Sequence, residues 1–423
     1  MTNARADAHR EVSTPEDLLA ALADPAIRRI TVTANLSGLP TLALQSGQAL
    51  LGGVPHPVLR FASGQDGVRL SADNAVEKLD LLTDPDRCAV CNDTAVDGLG
   101  RILLRELRTV GAVRILARDR VRGGHVEAHG VDVQAADARG YGVRPKGYGV
   151  EVIPGAFTLW NQQDDPAVTV TAELTGLSAG RAGAPVHGSG IFVAGAGEAG
   201  GRLVVRLLET GPVHSHGGIA PGTADRISGG VFTVSGAVVG IVRNRGPVTT
   251  YGPNDMVLDN WGTVDRWVAD EKVTSHGPSG IGFVNFGTIN RLEVNAVIET
   301  FGGGARGFNV YAGTVQAAVF ERVVTHADGA VGIQLSQPVG DITVRRGLET
   351  FGGVGPSLVK GVVVELPATA LSIKPGGSAR RIRIRGGLAA HGRGIEPLQF
   401  HGSVGSFEVS GGFAAPRDGF EGI

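Results

Sequence analysis

A step of about 25 residues recurs through the C-terminal half of this 423-residue chain and constrains its fold more than any other feature. Aromatic and imidazole residues follow that step at Tyr251, His276, Phe301, His326 and Phe351. Hydroxyl residues immediately precede them at Thr250, Ser275, Thr300, Thr325 and Thr350. An apolar column follows them at Leu258, Phe283, Phe308, Ile333 and Leu358. A fixed period of this length indicates one structural unit stacked on the next.

Each unit contains an alternating apolar and polar run, a glycine-rich turn and a second short apolar run. The units start at Gly262, Gly287 and Gly313. Alternation with a period of two predicts β-strands, whose inward column reads Trp267, Leu292 and Ala317. Because no helical period persists, helical and leucine-rich repeats fit the sequence poorly. The sequence therefore predicts an all-β solenoid.

One helix is indicated near the N-terminus. Thr14 is a favourable N-cap, Pro15 suits the first helical position, and acidic residues follow in the first turn. We expect a polar tail over residues 1–12 and a helical segment over 13–28. A single β-solenoid domain is predicted over 29–415, followed by a short tail over 416–423.

Composition restricts the compartment and the class of partner. Hydrophobic residues make up 42% of the chain, which is enough for a packed core. The formal net charge of −2 disfavours nucleic acid as a partner. No segment resembles a secretory signal or reaches the ~18 apolar residues of a membrane span. We therefore expect a cytoplasmic protein that binds no membrane.

Cys88 and Cys91 form a C-x-x-C pair, which raises the question of a metal. A structural zinc site needs about four ligands, and no second cysteine pair or nearby histidine pair accompanies these two. We expect reduced, inert thiols and predict neither a metal nor a cofactor. A redox or metal role is the alternative interpretation.

The pattern of coils resembles the right-handed parallel β-helix of the pectate-lyase-like superfamily. The resemblance rests on the helix at residues 15–23, the segment GVRLSADNAVEKLDLL at 67–82 and the repeated coils, and it extends over about residues 13–415. It implies that the helix covers the open end of the stack. It also implies that the protein is an enzyme acting on sugars. A further implication is that the chains associate as homo-oligomers, such as trimers.

Acidic residues in matching positions are candidates for acid–base catalysis. Glu299 and Glu349 precede the same glycine-rich turn two coils apart, or roughly 10 Å at the usual strand spacing. Asp255 and Asp259 form a second acidic cluster near Tyr251. Separations of about 5–10 Å suit the two carboxylates of a glycoside hydrolase. The alternatives are solvated glutamates duplicated with the repeat, and aspartates that bind turn backbone.

Histidines in the leading column are candidates for proton transfer, because imidazole titrates near neutral pH. His276 and His326 share that column, and Asp328 could orient the ring of His326. The alternative is a structural ladder of stacked rings. His214 and His216 could bind a metal but lack a third ligand at a recognisable spacing.

The second strand of each unit predicts a surface for a sugar. If the apolar column points inward, Asp259, Asn309 and Gln334 point outward beside three aromatic residues. Those aromatic residues are Trp261, Phe286 and Tyr311, and Tyr251 is a further candidate contact. Aromatic rings bordered by hydrogen-bonding groups suit the face of a sugar ring. The alternatives are an edge buried under a loop and an oligomer interface.

These observations favour a carbohydrate-active enzyme that cleaves or rearranges a glycosidic bond in a soluble oligosaccharide or another sugar-containing small molecule. A polysaccharide lyase or uronate epimerase is an alternative, with Lys360 and Lys374 as sources of positive charge. A β-helix that only binds or assembles is the non-enzymatic alternative.

Overall fold

The structure is a computed structural model that describes residues 8–359 and 361–414. Apart from one nine-residue helix, the regular elements of these residues are strands, and nearly all strand pairs are parallel. Partners in adjacent coils are one repeat apart, as in the pairing of Val273 with Ile298 and of Ile298 with Val323. Long parallel sheets of this kind are compatible with the predicted parallel β-helix. Lys360 and the tail at 416–423 lie outside the described residues.

The larger sheet contains 23 strands. They span Ala8–Val12, Ile27–Val32, Leu36–Leu39, Ala49–Gly52, Val58–Phe61, Ala75–Leu82, Arg101–Val110, Gly124–Ala135, Thr169–Ala179, Val186–His187, Arg202–His216, Ala237–Asn244, Val248–Thr250, Thr263–Ala269, Val273–Ser275, Thr288–Thr300, Thr314–Thr325, Pro338–Val344, Leu348–Thr350, Ser378–Ile384, Leu388–Ala390, Ser403–Val409 and Phe413–Ala414.

The second sheet contains 15 strands. They span Leu42–Ala43, Val68–Leu70, Cys88–Asn92, Ala112–Ala117, Lys146–Gly147, Val150–Val152, Gly155–Asn161, Ser189–Ala194, Arg226–Thr233, Asp255–Asn260, Ile281–Asn285, Arg306–Val310, Val331–Leu335, Leu371–Ile373 and Leu398–Phe400. A separate antiparallel hairpin joins Val354–Val359 to Val362–Pro367.

The core between the sheets is a stack of apolar layers. One fully buried column runs in register through Leu258, Phe283, Phe308 and Ile333. Its next member is Leu371 rather than the predicted Leu358, because residues 354–367 leave the coil as the hairpin. In the larger sheet, Leu292 pairs with Ala318 rather than with the predicted Ala317. The coil from Gly287 to Gly313 is one residue longer than its neighbour, which moves the register by one.

The predicted helix spans Pro15–Ala23. The Thr14 hydroxyl accepts a hydrogen bond from the Asp17 N–H at 3.1 Å, which fixes the first turn. Leu18 and Leu22 are buried against the first coils. No helical segment in the described part of the chain combines the length and apolar character that crossing a membrane requires.

A strand is already present before the predicted boundary at residue 13. Residues Ala8–Val12, placed by the sequence in a polar tail, form a strand that pairs in parallel with Ile27–Val32. This pairing satisfies the hydrogen-bonding groups of the strand's backbone. The polar side chains of these residues do not indicate a strand in the sequence.

The predicted hydroxyl column lies in one turn, where all five side chains are fully buried. Thr325 donates a hydrogen bond to the Ala330 carbonyl at 2.8 Å, and Thr250 and Thr350 likewise donate to backbone carbonyls. The hydroxyls of Ser275 and Thr300 make no hydrogen bond to the described residues. Three members of the column therefore bond to backbone carbonyls.

Two segments cover the outer face of the second sheet. Residues 139–152 leave the coil as an insertion, from which Tyr141 and Val150 pack on an outer apolar cluster that includes Trp261. Val359 of the hairpin packs on the same cluster. These two segments therefore cover the face of the sheet that points away from the core between the sheets.

Candidate functional site

Seven stacked rings along one edge of the coils form what we call the ring ladder. Its members, in order, are His214, Tyr251, His276, Phe301, His326, Phe351 and His391. Successive ring centroids lie 4.4–6.2 Å apart, and successive ring planes diverge by 5–24°. The structural ladder considered for the five predicted members is confirmed, and a histidine extends it at each end. Parallel stacking covers ring faces and leaves ring edges at the surface.

The glutamates predicted as a catalytic pair lie beside the ring ladder. Glu299 and Glu349 share one column two coils apart, as predicted, with Val324 between them. The Glu299 carboxylate lies 2.9 Å from the Nε2 atom of His326. Arg322 donates a hydrogen bond to the Glu349 carboxylate at 2.8 Å. Each glutamate therefore has an ionisable partner on a solvent-facing surface.

Asp328 does not orient His326, although the sequence suggested that it could. Its carboxylate accepts a hydrogen bond from the Gly353 N–H at 2.6 Å instead. Glu299 takes the place of Asp328 beside the imidazole. The register of the column brings Glu299 to that position from the coil below, a contact that proximity in sequence does not indicate.

The histidine pair and the cysteine pair were the candidates that the sequence offered for a metal. His214 lies 3.1 Å from the Tyr251 hydroxyl, whereas His216 accepts a hydrogen bond from the Gly218 N–H. Burial raises the pKa of the Cys88 thiol and raises the pKa of Cys91 to about 12. Among the described residues, no three histidine, cysteine, aspartate or glutamate side chains are grouped to hold a metal ion.

Asp255 is held inside a turn and serves its backbone. Its carboxylate accepts hydrogen bonds from the Ser228 hydroxyl at 2.6 Å and from the Gly252 N–H at 2.7 Å. The Gly217 N–H also donates to it. Burial raises the pKa of Asp255, and these hydrogen bonds oppose that rise. The backbone-binding alternative for Asp255 is therefore the one that its contacts support.

Asp259 is also fully buried, but its carboxyl oxygens lie outside hydrogen-bonding distance or geometry of the described residues. Both of its side-chain oxygens lack a hydrogen-bond partner among the described residues. Burial raises the pKa of Asp259 well above its ordinary value, and the nearby Trp261 side chain opposes this only in part. A buried polar group without a partner is costly and therefore calls for an explanation.

Two amide side chains follow Asp259 along the same outer column. In register, Asp259 pairs with Val284, Val284 with Asn309, and Asn309 with Gln334. The predicted outward column is therefore confirmed. Both polar atoms of the Asn309 side chain and the Oε1 atom of Gln334 are buried without a partner. The column offers a carboxyl and two amides with unused hydrogen-bonding capacity.

The aromatic residues beside this column are less exposed than the sequence predicted. Trp261 and Tyr311 retain only 4% and 8% of their accessible surface, and Phe286 is partly buried between them. Tyr148 from the 139–152 insertion stacks on Phe286 at 4.5 Å and meets Trp261 edge-on at 5.1 Å. The expectation of an open aromatic surface is wrong, because the insertion covers it.

Two spaces adjoin these rings, and we call them the roofed cavity and the glycine groove. The roofed cavity has a volume of about 70 Å³ and is lined by Asp259, Met256, Val284, Tyr311 and their neighbours. The glycine groove, of about 540 Å³, is lined by Gly262, Gly287, Gly313, Trp261 and Glu198, among others. Tyr148 and Phe286 line both spaces and separate them.

Two residues of this region were not identified from the sequence as site residues. Tyr148 lies in an insertion outside the repeat, and Glu198 lies in the loop GAGEAGG at residues 195–201. Burial raises the pKa of Tyr148, and the charges of Glu198 and Asp259 add to that rise. The interruption of the repeat by both loops was the signal that could have identified them.

No family model, curated protein or solved structure matches this chain. The roofed cavity, the glycine groove and the unpartnered groups around them are therefore the features from which its chemistry is inferred.

Proposed function

We propose that this protein is a carbohydrate-active enzyme that cleaves or rearranges a glycosidic bond, with Asp259 as the general acid. The observation that carries the proposal is the fully buried, unpartnered Asp259 carboxyl in the wall of an aromatic cavity. Because the pKa of Asp259 is raised well above its ordinary value, the carboxyl holds a proton at a pH where exposed aspartates are ionised. A carboxylic acid kept neutral by burial can protonate the departing sugar oxygen.

Glu198 is the proposed second carboxylate. It is exposed in the glycine groove, which Tyr148 also lines, and in this proposal it acts as the base or nucleophile. The glycines of the groove let a ligand approach the backbone closely, and Trp261 and Phe286 also line the groove.

Tyr148 must move for a sugar to reach Asp259. The roofed cavity alone, at about 70 Å³, is smaller than the ~300 Å³ of a typical ligand pocket. Tyr148 is 45% exposed and separates the cavity from the groove, so its displacement would join the two spaces. The proposed substrate therefore lies in the groove with its reacting bond directed at the cavity.

The test is product formation from a panel of oligosaccharides. New reducing ends would identify hydrolysis, and the ultraviolet absorbance of an unsaturated uronate would identify elimination. We expect Asp259→Asn and Glu198→Gln each to lower turnover by about 10²-fold or more. Asp265→Asn is the matched control, since Asp265 is exposed on the larger sheet.

The same panel separates this proposal from its alternatives. Loss of turnover in Glu299→Gln with normal turnover in Asp259→Asn would move the chemistry to the ring ladder. Binding of a sugar by wild type without any product would favour a non-catalytic binding protein. Trp261→Ala should weaken mainly substrate binding in the proposed enzyme, so KM should rise more than kcat falls.

The long parallel sheets support a finer architectural proposal as well. In it the coils wind right-handed, as in the pectate-lyase-like superfamily, and the helix Pro15–Ala23 covers the first coil. An experimental structure would test both points. Light scattering would test the proposed homo-oligomer, for which a monomer mass at micromolar concentration is the contrary result.

A further inference from the structure

Arg306 is a fully buried cation that has no counter-ion in the described structure. It begins the strand Arg306–Val310 of the second sheet, and its accessible surface is 0%. Its guanidinium donates to the Gly304 carbonyl at 3.2 Å and to the Ser357 hydroxyl at 2.9 Å. The Nε–H is buried without a partner, and no carboxylate of residues 8–359 or 361–414 lies within ion-pair distance.

This environment differs from that of the exposed arginines on the larger sheet. Arg266 and Arg291 both bind the Glu293 carboxylate, at 2.9 and 2.7 Å. Arg322 binds Glu349. Burial of a guanidinium is unfavourable unless an anion compensates its charge, and neutral acceptors satisfy only part of its five donors.

Arg306 lies where two spaces meet under the hairpin. Its guanidinium carbon is 5.9 Å from the centre of the Tyr311 ring, which lines the roofed cavity. Ser357, its hydroxyl partner, lines a cleft of about 260 Å³ beneath the hairpin. Cleft and cavity share Asn254 and Leu358 in their walls. Arg306 itself lines neither space, so a ligand in the cleft would reach the guanidinium by displacing the Ser357 hydroxyl.

A second cation, Lys374, follows the strand Leu371–Ile373, which lies two strands from that of Arg306. Lys374 is half-buried, and its ammonium donates to the Gln399 side-chain oxygen at 3.0 Å. Burial lowers the pKa of Lys374, and the positive charge of Arg306 lowers it further. Between these residues the outer column continues from Gln334 to Ser372. Two positive charges and several hydrogen-bonding side chains thus belong to three consecutive strands of the second sheet.

We propose that Arg306, assisted by Lys374, binds an oxyanion of the ligand, so that the sugar carries a carboxylate, sulfate or phosphate group. The guanidinium fork with its free Nε–H suits such a group, because arginine binds planar or tetrahedral oxyanions through paired hydrogen bonds. The anion site stands on the contacts of Arg306 alone. Only the identification of its ligand as a sugar rests on the proposed function.

Direct binding at constant ionic strength tests this proposal. The probes are glucuronate, glucose 6-sulfate, glucose 6-phosphate and glucose, titrated into the full-length protein by calorimetry. We expect at least one acidic probe to bind 10-fold or more tightly than glucose, and the probe that does so identifies the oxyanion. Arg306→Gln should abolish that preference, whereas the matched control Arg322→Gln should keep it.

Equal affinity for charged and neutral probes in wild type, or an unchanged preference in Arg306→Gln, would overturn the proposal. If Arg306→Gln does not fold, Lys374→Gln and Ser357→Ala decide instead. Lys374→Gln should weaken the acidic probe several-fold, and Ser357→Ala should leave its binding intact because the guanidinium remains. If instead Lys374→Gln leaves binding of the acidic probe intact and Ser357→Ala weakens it, Arg306 only holds the hairpin in place. Asp259→Asn should retain anion binding, so failure of catalysis and failure of this site are distinguishable.

Discussion

At the scale of single residues, Asp259 and Asp255 show how one acidic cluster divides into two roles. They are four positions apart and equally buried, yet Asp255 receives hydrogen bonds from a turn while Asp259 receives none from the described residues. A partnered buried carboxylate stabilises its turn, whereas an unpartnered one lowers the stability of the fold. Such a cost is expected at a site retained for chemistry.

Asp259→Asn should therefore stabilise the protein in a pH-dependent way. Because the folded pKa of Asp259 is raised, wild type loses stability as the pH rises from the ordinary value of 3.8 through the raised pKa. Asparagine does not ionise and avoids that loss. We expect the variant to gain about 1–3 kcal/mol in free energy of unfolding near neutral pH, and less below about pH 4.

Urea unfolding of both proteins across this pH range is the measurement, with Asp265→Asn as the exposed control. A gain of equal size at every pH would contradict the assigned protonation state. A loss of stability near neutral pH would show that the carboxyl has a bonding partner after all.

Individual site residues could be predicted only where the repeat governs them. Asp259, Asn309 and Gln334 were assigned to one outward column, and their register follows from regular strand alternation. Their burial could not be predicted, because the cover comes from residues 139–152 and from the hairpin. Neither segment carries the repeat, and periodicity contains no information on where an insertion folds back.

At the scale of elements, glycines at the turns set how closely coils can stack. A Cβ atom at Gly302 would lie 1.9 Å from the Gly277 carbonyl oxygen of the preceding coil. The equivalent Cβ at Gly277 would lie 1.8 Å from the Gly252 carbonyl oxygen. The repeated glycine therefore marks a contact between backbones that no side chain can enter.

Gly302→Ala should be strongly destabilising, while Gly303→Ala should be almost neutral. Any Cβ at residue 302 forces two coils apart, at a cost on the order of 3 kcal/mol. A Cβ at Gly303 meets no atom within 4 Å. Thermal unfolding of the two variants checks this, and similar melting temperatures would contradict the proposed backbone contact.

Elements that follow the 25-residue repeat could be predicted from the sequence better than the segments that interrupt it. The 25-residue step predicted the ring ladder and the apolar column through Ile333, because both depend on contacts between consecutive coils. It placed Leu358 in that column because the step was extended across the hairpin. An inserted hairpin of this length cannot be distinguished from part of a coil when only the spacing of residues is considered.

At the scale of the whole molecule, the strands of each coil pair with those of adjacent coils, so protection from hydrogen exchange should vary along the stack. The strand Thr288–Thr300 lies between two coils and contributes several fully buried side chains. The strand Ser403–Val409 has no fully buried side chain. Local opening is easier where fewer apolar contacts are broken.

Amides of Ser403–Val409 should therefore exchange hydrogen for deuterium faster than those of Thr288–Thr300 by about 10-fold or more. Mass spectrometry of peptic peptides from the native protein measures both strands in one experiment. Uniform exchange along the chain would instead indicate that the stack opens as one cooperative unit.

The ring ladder and the hydroxyl column repeat with the same 25-residue step over residues 250–351, so the length of both columns is set by the number of coils. Removing residues 276–300 would join Ser275 to Phe301, and ring would still follow hydroxyl at the junction. The ladder would be shortened by one coil, or ~4.8 Å. A deletion within the strands of a coil that did not remove one full step would place unlike side chains in contact along the columns. Insertions are accommodated in the loops, as in the hairpin at 354–367, whereas the stacked strands can be shortened only by whole coils. The span of any ligand along this surface is set in the same increments.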